Sequence, residues 1–236
     1  DKTIPLDLVF AATGGSGYVT ATSTIATARG DCIAILPDSS VGLDADSSAW
    51  VGTQDEFNVT VFGSKRHLDI TRGINDADST ANYVRTNCAP DVAGCIARTD
   101  RDSYPWYSPA GFRRGRILDV VRIEDNPTDG QQDTLYDAGI NPIVTFPGEG
   151  TVLFGDKTGK TATSTLSRIN VSRLFIFLKK TIGAAARSIL FEQNDITTRA
   201  SFVNAVSPLL DSIQARRGLY DYRVICDTTN NTDALI

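Results

Sequence analysis

The sequence predicts an α/β fold, or its α+β neighbour, in which a mixed β-sheet is flanked by helices and a smaller, variable β-containing segment is inserted or appended. Three observations carry this reading. Arg29-Gly30 ends a stretch of small residues as a helix stop, and the apolar run Asp31-Cys32-Ile33-Ala34-Ile35-Leu36-Pro37 follows at once with the length of a buried strand. Between residues 170 and 191, apolar side chains recur at 171, 174, 175, 178, 182, 185, 186 and 189, the stripe of an amphipathic helix over almost six turns. Pro142 to Phe146, a Pro-Gly-Glu-Gly turn, and Thr151 to Gly155 read as a β-hairpin. Helix stops followed by buried strands are the rhythm of layered α/β proteins.

The remaining elements follow in chain order. Asp7 to Phe10 reads as the end of a strand, leading into the loop Gly14-Gly15-Ser16-Gly17. Residues 39 to 66 are rich in Ser, Asp and Gly, and within them Phe57-Asn58-Val59-Thr60-Val61-Phe62 alternates, which predicts an exposed-edge or half-buried strand. Residues 73 to 90 carry no readable pattern. Asp91 is the expected N-cap of a short helix from Val92 to Arg101, and Pro and Gly mark a structured loop over 104 to 111. Thr128 caps a short helix that stops at Gly139. Asp195 caps a long helix toward Gly218, its buried stripe formed by Phe202, Val206, Leu209, Leu210 and Ile213; Pro208 inside it predicts a kink or break. Tyr220 to Cys226 predicts a buried strand, and Thr228 to Thr232 a polar turn.

Composition bounds the function. With 41% hydrophobic and 22% charged residues among 236, the chain is an ordinary globular protein of one or two domains, which excludes disorder, collagen and a disulfide scaffold. It contains no Met and opens Asp1-Lys2-Thr3, so both ends are read as cut. Net charge is −5, with 7 basic and 13 acidic residues in positions 1 to 100. An acidic chain without clustered Lys and Arg argues against nucleic acid as partner. The longest apolar run of the second half, Leu174 to Leu178, is far too short to span a bilayer, so direct membrane insertion is not expected. Cys32, Cys88, Cys95 and Cys226 lack zinc or redox spacing and read as buried reduced thiols.

Chemistry is sparse. The one histidine, His67, lies in a polar segment with no nucleophile elbow nearby and reads as a surface residue. Asp44-Ala45-Asp46 lacks the rest of a calcium loop. Gly155-Asp156-Lys157-Thr158-Gly159-Lys160-Thr161 approaches a phosphate-binding loop, but three residues instead of four separate the first Gly from Gly-Lys-Thr, and no amphipathic helix follows at once. It reads as a solvated loop, with a P-loop-like nucleotide-binding protein as the alternative. A glycan or receptor-binding module is a second alternative, pointed to only by residues 39 to 66. No catalytic, cofactor or metal residue is assigned. Arg113-Arg114-x-Arg116 and Arg216-Arg217 are the local basic clusters, read as a solvated face or as intersubunit contacts. Such a chain is expected to work through surfaces and not to be an enzyme.

Six blocks give a sharper reading. Tyr104-Pro105-Trp106-Tyr107-Ser108-Pro109-Ala110-Gly111-Phe112-Arg113-Arg114-Gly115 resembles the PW-SPAG-NRG block of contractile tail sheath proteins from myovirus-type bacteriophages. So do Leu135 to Pro142, Gly150 to Thr158, Arg168 to Phe175, Leu190 to Asp195 and Tyr220 to Asn231, in that order. The resemblance implies that residues 1–38 and 91–236 are a sheath core, and that 39–90 are a variable segment or part of a second small domain. It implies no nucleotide role for the Gly-Asp-Lys-Thr block. It further implies a virion protein, assembled in the host cytoplasm, that self-associates into hexameric rings stacked helically around a tail tube, meets a baseplate, and contracts to drive the tube through the host envelope. The family's strand-bearing arms, which add to neighbouring subunits, are not evident in the chain, so the fragment itself is expected to be monomeric.

Overall fold

In the computed structural model, which describes residues 4–11, 16–38, 55–69, 83–162 and 164–231, the chain divides into two compact units, Asp1–Arg173 and Leu174–Ile236. The first is built on a five-stranded sheet of order β1 (Leu8–Phe10), β2 (Ile33–Pro37), β3 (Asn58–Phe62), β7 (Ile140–Phe146), β8 (Gly150–Leu153). The first four run parallel; β8 returns antiparallel to β7 as the predicted hairpin, with Val144 opposite Val152 and Phe146 opposite Gly150. All five residues of β2 are buried, as its unbroken apolar run requires of a strand covered on both faces. Helix α1 (Ser16–Arg29) ends where Gly30 turns left-handed at φ 62°, and its Val19 and Ala26 pack with Cys32, Ala34 and Leu36. Ile33 and Ile35 project from the opposite face of β2, and α2 (Ala89–Asp102) also packs on β1, β2 and β3.

A second, antiparallel sheet has the order β5 (Tyr83–Asn87), β4 (Ser64–Leu68), β6 (Arg122–Ile123). The chain passes from β3 into β4 through Gly63, whose φ is 136° and whose Cβ position lies 3.0 Å from the Ile143 Cβ; a side chain is excluded there on both counts. The segment 39–90 thus contributes β3 to the main sheet and β4 and β5 to the small one.

The α/β class holds, and several elements differ from their sequence reading. In the alternating stretch at 57–62, Asn58–Phe62 form a central, fully buried strand and not an edge. One of its polar positions is met inside the protein, where the Asn58 amide nitrogen donates to Asp55 Oδ1 (2.7 Å) and Thr27 Oγ1 (3.2 Å); at the other, the buried Thr60 hydroxyl has no hydrogen-bond partner among the described residues. Helix α2 begins two residues before Asp91, with Cys88 at the N-cap and Pro90 in the first turn, where a missing N–H costs nothing. Asp91 sits inside that turn and instead receives the buried Lys65 ammonium at 2.8 Å. Thr128 does cap α4 (Asp129–Asp137), in a capping box with Gln131.

In the second unit, the long amphipathic helix α5 (Ile169–Ala186), which starts in the first, is shorter than its stripe and finishes in a 3₁₀ turn, Arg187–Ile189, before Phe191 turns left-handed at φ 75°. Helix α6 (Ile196–Ala215) is capped by Asp195, which accepts from Thr198 N at 2.7 Å. It runs unbroken through Pro208, which lies on the exposed side, where an unpaired carbonyl meets water. The strand expected over 220–226 does not form. Among the described residues it has no ladder partner; it is tied to α6 by side chains, with Tyr222 donating to Asp211 and Gln214 donating to Tyr220 O at 3.0 Å.

One buried side chain stitches the first unit together. Asn141, fully buried in β7, donates to Thr60 O of β3 (2.9 Å) and to Lys157 O (2.8 Å), and accepts from Lys157 N (2.7 Å). Asn141→Ala removes three hydrogen bonds and strands buried backbone groups, so chemical denaturation will show a loss of roughly 3 kcal/mol. A loss below about 1 kcal/mol would mean that water replaces the amide without cost.

Candidate assembly surface

The loop before α3 (Gly111–Arg114) is held from several sides. Tyr104 stacks on the buried Trp106 at 4.9 Å. Arg173 donates to both oxygens of Asp100 (2.6 and 2.5 Å) and to Pro105 O (3.2 Å). Arg98 donates to Arg114 O (2.9 Å) and Arg116 O (2.6 Å). Beyond α3 the chain continues the main sheet: Leu153 N donates to Gly115 O (2.7 Å) and Ile117 N to Thr151 O (2.9 Å), covering the edge of β8. Gly115 leaves no room for a side chain, since a Cβ would lie 2.8 Å from Gly111 N.

The phosphate-loop-like segment is not the solvated loop that its composition suggests. The backbone donors at its centre are engaged: Lys157 N with Asn141 Oδ1, Thr158 N with Ser167 O (2.9 Å), and Gly159 N with Asn58 O (2.8 Å). Both lysines are committed, Lys157 to Tyr136 O (2.7 Å) and over the Tyr136 ring (4.0 Å), Lys160 to Glu56 (2.8 Å). Gly155 is buried against Asn141, with a Cβ position 2.7 Å from its Oδ1. A phosphate cradle needs free N–H groups converging on an anion; here they converge on protein carbonyls and one amide.

What this packing presents outward is aromatic. Phe112 of α3, Phe146 of β7 and Phe154 after β8 lie with ring centroids 5.2, 5.1 and 6.4 Å apart, and Phe112 and Phe154 are 47% and 42% exposed. Beside them opens a cleft of about 480 Å³, lined mainly by Ala110, Gly111, Asp133, Tyr136, Phe154 and Asp156. Burial pushes the Asp156 carboxyl up to about 6, while Ser108, Arg168, the Asn170 amide and Arg114 pull it back; its Oδ1 has no hydrogen-bond partner among the described residues. Sequence reading missed this surface because its rings are scattered over 43 positions. The hairpin register held a signal, since Val144 opposite Val152 puts Phe146 and Phe154 on one face.

The predicted contact residues divide between the units. Arg113 and Arg116 are exposed; Arg114 is half-buried, donating to Ser108 O (2.6 Å) with its guanidinium 5.3 Å from the Tyr107 ring centroid. Arg216 and Arg217 are exposed at the end of α6, Arg217 with φ 62°. His67 lies on β4, half-buried, 3.5 Å from Thr86 Oγ1. All four thiols are free; Cys32, Cys88 and Cys95 are buried, and burial pushes Cys88 up to about 12 and Cys95 to about 11. Asp44 and Asp46, residues 39–54 of the proposed glycan region, and Gly14 and Gly15 lie outside the described residues.

A buried carboxyl raised from 3.8 to about 6 favours the folded state below its unfolded value and loses that contribution as pH rises through 6, about 3 kcal/mol at most. Denaturant unfolding at pH 4.5 and 7.5 will show that Asp156→Asn removes part of the decline in stability between the two. An unchanged difference would place Asp156 in water.

Residues 16–159 match the phage tail sheath protein central domain, and residues 161–236 the phage tail sheath C-terminal domain. The tail sheath protein of Vibrio phage KVP40 is 38% identical over 231 residues, covering 92% of this chain and 34% of that protein; that of Enterobacteria phage T4 is 47% identical over 148 residues, 63% and 22%. The chain thus spans about a third or less of the length of these curated relatives. Among solved structures, the sheath complex of an extracellular contractile injection system in the contracted state aligns over 94% of this chain and 59% of its own, with a TM-score of 0.75 at 20% identity. The contracted helical sheath of the anti-feeding prophage aligns over 89% and 55%, with a TM-score of 0.70 at 22% identity. Matched over residues 16–159 and 161–236 by two family domains in sequence order, the chain belongs to the phage tail sheath family.

Proposed function

We propose that the protein is the structural subunit of a contractile phage tail sheath: it stacks in hexameric rings, wound helically around a tail tube and seated on a baseplate, and contraction drives the tube through the host envelope. The observation that carries this reading is the shared fold across 94% of the chain with a sheath in its contracted state. Baseplate contact is supported by a similar likeness to a chain of the anti-feeding prophage baseplate, with a TM-score of 0.69. The protein resides in the virion tail after assembly in the host cytoplasm, and works by assembly, not catalysis. Such a device needs no bound fuel, because the energy is stored as a metastable arrangement of subunits that relaxes to one with better contacts. A heterologous interface that does not close on itself generates the helix. Arg113, Arg114, Arg116, Arg216 and Arg217 are read as contacts between subunits, and residues 39–90 as the segment in which sheath proteins vary. The sealed loop at 155–161 weighs against nucleotide binding.

Electron microscopy of the protein expressed from its complete gene will show tubes of regular width. Failure to form any ordered polymer, alone or with tube and baseplate, would overturn the sheath reading.

A further inference from the structure

The cleft beside Phe154 is chemically particular. Its walls are mostly apolar, it is lined by two carboxylates, Asp133 and Asp156, and none of its lining residues is a cation. Arg114 and Arg168 act on Asp156 from outside the lining, and each is otherwise engaged, Arg114 with Ser108 and Arg168 with Tyr136. Asp129 and Asp137 flank Asp133 at i−4 and i+4, and all three are exposed on α4. An apolar slot with an acidic end suits a long cationic side chain, whose methylenes lie on the wall while its head meets the carboxylates.

Of the three non-glycine residues that stand on left-handed turns among the described residues, Asp119, Phe191 and Arg217, all are exposed, and Asp119 carries the charge of the cleft itself, which leaves two to enter such a slot from another molecule. Leu190-Phe191 stands out at the α5–α6 connection, with Phe191 97% exposed, but it is followed by the exposed Glu192, which would bring a further carboxylate against two. Arg217 stands on a left-handed turn after α6, exposed, beside Arg216, and carries the opposite charge. Charge decides between them. We propose that a second copy of the chain docks the guanidinium of its Arg217 in the cleft beside Phe154, against Asp133 and Asp156. Cleft and key are different patches, so each copy offers both and the contact propagates head to tail instead of closing as a dimer. The proposal rests on the sheath reading, and gives one of its interfaces a residue on each side.

Arg217→Glu in the protein expressed from its complete gene will cut the polymerised fraction at least tenfold while leaving far-UV circular dichroism and unfolding unchanged, and Asp133→Arg in the same chain will restore it. Arg217→Cys with Asp133→Cys will give, on oxidation of the polymers, a ladder of covalent multimers and not a single dimer band. Wild-type-like assembly of Arg217→Glu, or absence of the ladder from intact polymers, overturns the docking. So does loss of polymer with Phe191→Ser while Arg217→Glu assembles, which would assign the slot to the apolar tip. No polymer from the wild-type chain would overturn the sheath reading itself, and is distinguishable from all of these.

Discussion

The first unit depends on a single amide. Asn141 is fully buried on a parallel strand whose neighbours are apolar, and it stays there because its oxygen and its nitrogen are both saturated by backbone groups of β3 and of residue 157. The same amide dictates Gly155, whose Cβ would collide with it. With residue 155 pressed on the sheet, the following N–H groups are drawn onto Ser167 O and Asn58 O, and the chain is led from the hairpin into α5 by Ile169 N donating to Asp156 O at 3.2 Å. A segment with nearly the composition of a phosphate loop thereby becomes a seal. The difference lies in where its donors point.

This constraint explains how the chain is organised to work through its surfaces. Donors, cations and glycines that could serve a ligand are spent internally, and what is left outward is the Phe112–Phe154 aromatic face, an acidic helix face on α4, and the arginines at the ends of α3 and α6. Exposed aromatic groups are what an interface between rigid blocks uses, since they bury large area at little conformational cost. Contraction of a helical array asks for such blocks, which exchange contacts without refolding.

Much of this was legible in the sequence where one residue decides one local conformation. Gly30, Thr128, Gly139 and Asp195 act as stop or cap as read, and the run Ile33–Pro37 is the buried strand it looks like. Reading failed where a distant partner decides. The polar positions of β3 look solvent-facing, yet Asn58 meets Asp55 and Thr27, and Thr60 is buried with its backbone carbonyl taken by Asn141. Residues 220–226 have strand composition, but a strand exists only by pairing, and their hydrogen bonds go to α6 side chains. Asp91 has the right type for an N-cap, yet Pro90 permits an earlier start and Lys65 claims the carboxylate. The aromatic surface required the hairpin register and the position of α3 together.

The account turns on the loop at 155–161 being locked to the sheet and closed to ligands, so the most direct measurement is native-state hydrogen exchange at the amides of Lys157, Thr158 and Gly159. Locked as described, these amides exchange only through global unfolding, with protection equal to that of the amides of β2 and β3. Exchange orders of magnitude faster than the core strands, or protection that appears only on adding a nucleotide, would contradict the account.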